Sequence, residues 1–192
     1  MKHHVTGLAP MLALVLLASA LPAGAALGAG ATPMVSVARE AARDGVHIKA
    51  AIDIAAPPER VWTVMTDCAR APEIVPNLKS CRVLKRDPQG RWDVREHLVS
   101  WLWFMPNVRS VFRSDYDAPK RLRFHRIAGT LKRSQGEWRL KSLKGGRATR
   151  VFYDATVAAD LPVADSLVAG AMEREITTVL QRLRSACTGA AG

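Results

Sequence analysis

A chain of 192 residues that is 48% hydrophobic, with 28 Lys+Arg against 17 Asp+Glu and a net charge of +11, has the size of one domain plus a leader. Its apolar content excludes disorder of the whole chain, and three cysteines are too few for a disulfide-framework miniprotein. Only the N-terminal region holds a long apolar stretch, which excludes a polytopic membrane protein.

From Val5 to Ala38 no residue carries a formal charge. Lys2, His3 and His4 precede an apolar core from Met11 to Ala18, Pro22 breaks it, and Ala23-Gly24-Ala25 and Ala29-Gly30-Ala31 follow. A positive start, an apolar middle and a small-residue cleavage site are the layout of a secretory signal peptide. We expect that peptide over residues 1–31, cleaved, with a lead-in over 32–45 and export to a bacterial periplasm. The alternative is an uncleaved N-terminal membrane anchor, whose apolar core falls short of the ~20 residues a spanning helix needs. No Cys lies in this stretch, which argues against a lipid anchor.

Behind the leader, Val37–Arg43 reads as a helical piece. Val46 to Ala55 then alternates, with Val46, Ile48, Ala50, Ile52 and Ile54 on one face and His47, Lys49 and Asp53 on the other, as in a half-buried strand. Pro57 and Pro58 end it, and Pro58 suits the first turn of a helix that Glu59 favours. Val61, Trp62, Val64 and Met65 give that helix an apolar stripe. A second short helix is expected over Ala71–Val75, then a strand over Leu78–Arg86 and a turn at Asp87-Pro88-Gln89-Gly90. Arg91–Met105, Val108–Asp117, Leu122–Ile127, Glu137–Leu143 and Arg147–Asp160 read as further strands. Thr130–Ser134, between Gly129 and Gly136, reads as strand or loop. The period then becomes 3.6: Leu167, Val168, Ala171, Met172, Ile176, Val179, Leu180 and Leu183 share one stripe of a long helix over about Ala164 to Ala186.

Export permits disulfides. Cys68 and Cys81 are the natural pair, bracketing a short segment; two buried free thiols are the alternative. Cys187 is left over. There is no C-x-x-C, and only His47, His97 and His125 remain behind the leader, so no metal and no cofactor are expected.

The run Ile54-Ala55-Ala56-Pro57-Pro58-Glu59-Arg60-Val61-Trp62 resembles the opening strand and first helix of the START and birch-pollen-allergen superfamily. Thr66-Asp67 and Ala71-Pro72-Glu73-Ile74-Val75-Pro76-Asn77-Leu78-Lys79-Ser80 resemble its branch of polyketide cyclases/dehydrases and coenzyme-Q-binding START-like proteins. The resemblance covers about residues 46–187, leaving 188–192 as a tail. It implies an α+β helix-grip fold: a curved antiparallel sheet of about seven strands around a long C-terminal helix, with two short helices after the first strand. The superfamily hosts lipid carriers and cyclases, so fold alone does not choose between them.

A bent sheet closed by one helix leaves a space between them. Small residues such as Ser110, Ser114 and Ala155 do not fill it, and Phe112, Tyr116, Phe124, Trp138 and Tyr153 give it an apolar lining. We therefore expect a hydrophobic small-molecule ligand, a lipid or isoprenoid quinone, held by Trp101, Trp103, Phe104, Phe112, Tyr116, Phe124, Trp138, Tyr153, Met172 and Ile176; for any single aromatic, solid core is the plainer role. The run Trp101-Leu102-Trp103-Phe104-Met105-Pro106 is apolar on both strand faces. One face suits the pocket, and the other needs cover from the first helices, a partner or a bilayer interface. No catalytic motif of the nucleophile-elbow, phosphate-loop or H-E-x-x-H kind occurs. For the alternative, a cyclase/dehydrase-type enzyme, the acid/base candidates are Glu96, Arg126 and Tyr116. Alternation reads Glu96 and Arg126 as inward and His97 and His125 as outward, with a salt bridge at the sheet edge as the plainer role for the two charges.

Residues 109–150 hold 13 Lys/Arg against only Asp115, Asp117 and Glu137. Such a basic surface attracts anionic headgroups, so peripheral contact with an anionic membrane is expected. Nucleic acid is not, because an exported chain rarely meets it and no aromatic stacking pattern interleaves the charges.

Overall fold

Alternating residues become strands wherever one set is wholly apolar. In the computed structural model, which describes residues 36–42, 45–100, 107–159 and 165–189, the element order is β1 (Ser36–Ala42), β2 (Gly45–Ile54), α1 (Pro58–Thr66), α2 (Ala71–Ile74), β3 (Leu78–Arg86), β4 (Trp92–Val99), β5 (Val108–Asp117), β6 (Arg121–Gly129), β7 (Leu131–Leu143), β8 (Ala148–Ala159) and α3 (Asp165–Thr188). The expected leader, Trp101, Trp103 and Phe104 lie outside the described residues.

One antiparallel sheet runs in the order β1-β2-β8-β7-β6-β5-β4-β3. Its curved face packs against α3, the helix-grip arrangement, with eight strands rather than about seven. The additional one is β1. The helical piece expected at Val37–Arg43 is instead a strand, paired from Ser36↔Ala51 to Ala42↔Gly45. Ala, Glu and Arg favour helix by intrinsic propensity, but β2 offers an unpaired edge and its ladder outweighs tenths of a kcal/mol per residue.

β2 buries Val46, Ile48, Ala50, Ile52 and Ile54, and these meet Val61 and Val64 of α1, Val151 of β8, and Ile176, Val179, Leu180 and Leu183 of α3 in one core. Ile48, Ile54, Val61, Val64, Val151 and Leu180 are completely buried, each such side chain gaining roughly 1.5–3 kcal/mol from removal from water. Leu167, read as part of the α3 stripe, is instead 65% exposed. Val168 and Ala169 beside it are buried, so Leu167 occupies the side of the first turn that faces away from the core.

β7 is continuous through Gly136, where two shorter segments were expected. Gly136 pairs with Phe124 and Ala155, and a Cβ there would collide with the Asp154 carbonyl oxygen and Ala155 Cβ. The glycine is a packing requirement of a tightly coiled sheet, not a break. A disulfide joins Cys68, ahead of α2, to Cys81 of β3 with Cα atoms 5.5 Å apart, and Cys187 is a buried free thiol.

Candidate ligand-binding cavity

The concave face does not close fully on α3. Between them lies a cavity of about 270 Å³. Its sheet wall comes from Ile48, Arg95, His97, Val99, Val108, Ser110, Phe112, Leu122, Phe124, Leu131, Ser134, Trp138, Tyr153 and Val157. Met65, Ala71, Ile74 and Val75 close one side, and Met172, Glu175, Ile176, Val179 and Leu183 of α3 form the roof.

Of the expected ligand contacts, Phe112, Phe124, Trp138, Tyr153, Met172 and Ile176 are in this wall. Four of them form a continuous aromatic strip. Phe112 meets Phe124 edge-on at 6.5 Å between ring centroids, Phe124 stacks on Tyr153 at 6.3 Å, and Tyr153 meets Trp138 at 4.6 Å. Cross-strand register produces the strip: Phe124 sits opposite Gly136, whose missing side chain opens the space, and Trp138 sits opposite Tyr153. Burial pushes the Tyr153 hydroxyl well above the ordinary phenol range, and the nearby Glu175 and Asp154 push the same way.

Tyr116 is not part of the wall. Its hydroxyl accepts a hydrogen bond from Arg95 Nη2 at 2.8 Å, and its ring meets Trp62 edge-on at 5.8 Å. Arg95 also donates from Nε and Nη2 to Asp93, at 3.1 and 2.5 Å, and from Nη2 to the Thr66 carbonyl at 3.1 Å. Asp93 and Arg95 are 1% and 6% exposed, so the pair is a buried, compensated charge under the cavity floor.

The facing of β4 reverses the sequence reading. Asp93, Arg95, His97 and Val99 pair with Ser114, Phe112, Ser110 and Val108 and share the concave face. Glu96 lies on the convex face, bridged by Arg82 and by Arg109 Nε at 2.6 Å. Arg82 first, and then Arg109, hold its carboxyl below the usual range. Both faces of β4 carry charge, and the apolar Trp92, Val94 and Leu98 made the convex face resemble the inner one. Trp92 is satisfied outside instead, under the Arg113 guanidinium at 4.4 Å. Arg126 donates from Nη2 to the Gly129 carbonyl at 2.9 Å and is not in the cavity wall. Glu96, Arg126 and Tyr116 are therefore not brought together. His125 is exposed, as expected.

His97 is the polar wall residue that alternation missed. Its ring stands perpendicular to Phe112 at 4.9 Å, and its Nε2 is buried without a hydrogen-bond partner among the described residues. Burial, and next the Arg95 charge, push its pKa down to about 4, so the imidazole is neutral at pH 7. Glu175 was missed as well. It falls three residues after Met172, at the edge of the α3 stripe, where helical spacing alone gave a usable signal. No group of three or more His, Cys, Asp or Glu placed to hold a metal occurs among the described residues.

The sequence matches the family described as polyketide cyclase / dehydrase and lipid transport over residues 54–184. The chain belongs to that family. No protein of curated function matches it in sequence. A START superfamily protein from Mycobacterium smegmatis shares the fold, with a TM-score of 0.66 and 17% identity over 76% of this chain and 99% of its own. A STAR-related lipid transfer protein from Xanthomonas axonopodis does so with a TM-score of 0.69 and 15% identity, over 80% of this chain and 93% of its own. The Zhui aromatase/cyclase from Streptomyces gives 0.60 and 16% over 74% and 91%. At these identities the likeness is one of fold, and the polyketide cyclase and lipid transport family supplies both a carrier and an enzyme precedent.

Proposed function

We propose that this protein is an exported binding or carrier module for a hydrophobic small molecule held between sheet and α3. The observation that carries the reading is the cavity of about 270 Å³ with its aromatic strip and few polar groups, the usual character of a small-molecule site. Export rests on the charge-free N-terminal stretch, and the Cys68–Cys81 disulfide agrees with an oxidising compartment.

An anionic membrane surface is the proposed place of work. The β5–β6 turn and the start of β6 carry Lys120 and Arg121, and the end of β7 and the turn after it carry Lys141, Lys144 and Arg147. The Leu140 amide donating to the Lys120 carbonyl at 2.8 Å ties the β5–β6 turn to the end of β7. These five cations form no salt bridge among the described residues; Asp117 lies beside them, and Asp53, which Lys144 also feels, is paired with Arg150. Such a cluster is worth about 1 kcal/mol per cation near an anionic surface at most, and salt weakens it.

A second reading, a cyclase/dehydrase-type enzyme, draws on His97, whose buried Nε2 has no hydrogen-bond partner among the described residues. Native mass spectrometry of protein recovered from the periplasm, followed by organic extraction, separates the two. The carrier reading expects a stoichiometric apolar molecule that is lost in Met172→Arg or Phe112→Arg while secretion continues. An empty wild-type protein, or retention unchanged in both variants, refutes it.

A further inference from the structure

The cavity and the exterior differ in charge. The chain carries a net charge of +11, whereas the cavity wall, among the described residues, contains one guanidinium, Arg95, and one carboxyl, Glu175. Arg95 spends its Nε and Nη2 donors on Asp93, Tyr116 and the Thr66 carbonyl. The wall thus offers an entering anion a guanidinium already compensated by a carboxylate. Moving an anion into such surroundings forfeits its hydration without a counter-charge in return. His97 is the opposite case. It is a neutral ring with a nitrogen that no described residue uses, and an unused buried polar atom is destabilising until a partner arrives. The imidazole χ2 torsion is broad, so a half-turn of the ring exchanges Nε2 with Cε1 and gives the nitrogen of this lining residue a second position. Ser110, its cross-strand neighbour, and Ser134 add neutral hydroxyls to the same wall. An apolar cavity of roughly 150 Å³ holds one benzene ring, so about 270 Å³ suits a body of about two rings.

We propose that the cavity selects an uncharged apolar molecule bearing a hydroxyl group that hydrogen-bonds His97, and discriminates against the corresponding carboxylate. This rests on the ligand-binding reading above and adds to it the chemical class of the ligand. The probes are naphthalene, 2-naphthol and 2-naphthoate, matched in ring size and measured by equilibrium dialysis at pH 7 against wild type, His97→Leu and His97→Gln. In wild type, 2-naphthol binds about tenfold tighter than naphthalene, the equivalent of one net hydrogen bond, and 2-naphthoate binds weakest of the three. His97→Leu removes the advantage of 2-naphthol over naphthalene, and His97→Gln, which keeps a donor and an acceptor, retains most of it. Tightest binding of 2-naphthoate, or an advantage of 2-naphthol unchanged in His97→Leu, overturns this inference and leaves ligand binding standing. No binding of any of the three to wild type removes the ligand-binding reading and this inference with it.

Discussion

Acidification tests the environment of His97 directly. An imidazole whose pKa falls from 6.5 to about 4 on folding binds its proton more readily in the unfolded chain. The stability it lends is therefore fully present above about pH 6.5 and is lost as the pH falls toward about 4. The whole depression corresponds to about 3 kcal/mol, of which about 2 kcal/mol disappears between pH 7 and pH 5. Asp53, Asp87 and Glu96 also lose stabilising charge in acid. Their carboxyls are held below 3.8, 3.8 and 4.5 by Arg150, Arg91 and Arg82, so their losses come at lower pH and leave this window clear. Asp93 and Arg95 on the same strand, and Glu175 and Tyr153 across the cavity, are the charged and titratable groups around the ring, and a substitution at 97 leaves them in place. Urea unfolding of wild type and His97→Gln at pH 7, 6 and 5 measures the effect. Wild type should lose about 2 kcal/mol more than the variant over that range. Parallel losses in the two proteins would mean that His97 is solvated and that the cavity wall is not the apolar surface described.

Reducing the Cys68–Cys81 bridge, or replacing both residues by Ser, opens a loop with a sequence separation of 13; chain entropy puts the cost at about 3 kcal/mol, read as a lowered urea midpoint. Gly136→Ala forces a methyl group against the Asp154 carbonyl and Ala155, and a loss of about 1–3 kcal/mol is expected in thermal unfolding, whereas an unchanged melting temperature would show that the sheet has room there. Leu180→Ala empties a completely buried site and should cost about 2–5 kcal/mol, while Leu167→Ala, on a residue 65% exposed, should stay within about 0.5 kcal/mol. Similar losses at the two positions would restore Leu167 to the buried stripe.

The legible parts of the fold are those in which local chemistry and burial agree. β2 carries five apolar residues on one parity and polar residues on the other, so its inner face needs no knowledge of its neighbours. Pro58 opens α1, and the 3.6 period of α3 through Met172, Ile176, Leu180 and Leu183 predicts which helix face meets the sheet. The bounds of β3 and β5 follow from the turns on either side. The aromatic residues of β5 to β8 likewise announce an apolar concave wall, because alternation alone sends Phe112, Phe124, Trp138 and Tyr153 to the same side.

Tertiary structure decided the rest, wherever a residue's environment depends on a partner remote in sequence. β4 has charges on both parities, and only the pairing of Arg95 with Asp93, Tyr116 and Thr66 makes it cheaper to turn Arg95 inward than Glu96, which Arg82 and Arg109 hold outside. β1 is a strand because β2 has an edge to offer, against the helical propensity of its own residues. Gly136 continues a strand because Asp154 and Ala155 leave no space for a side chain. His97 and Glu175 belong to the cavity because β4 and α3 bring them there from 78 residues apart in the chain, a distance across which no local pattern carries information.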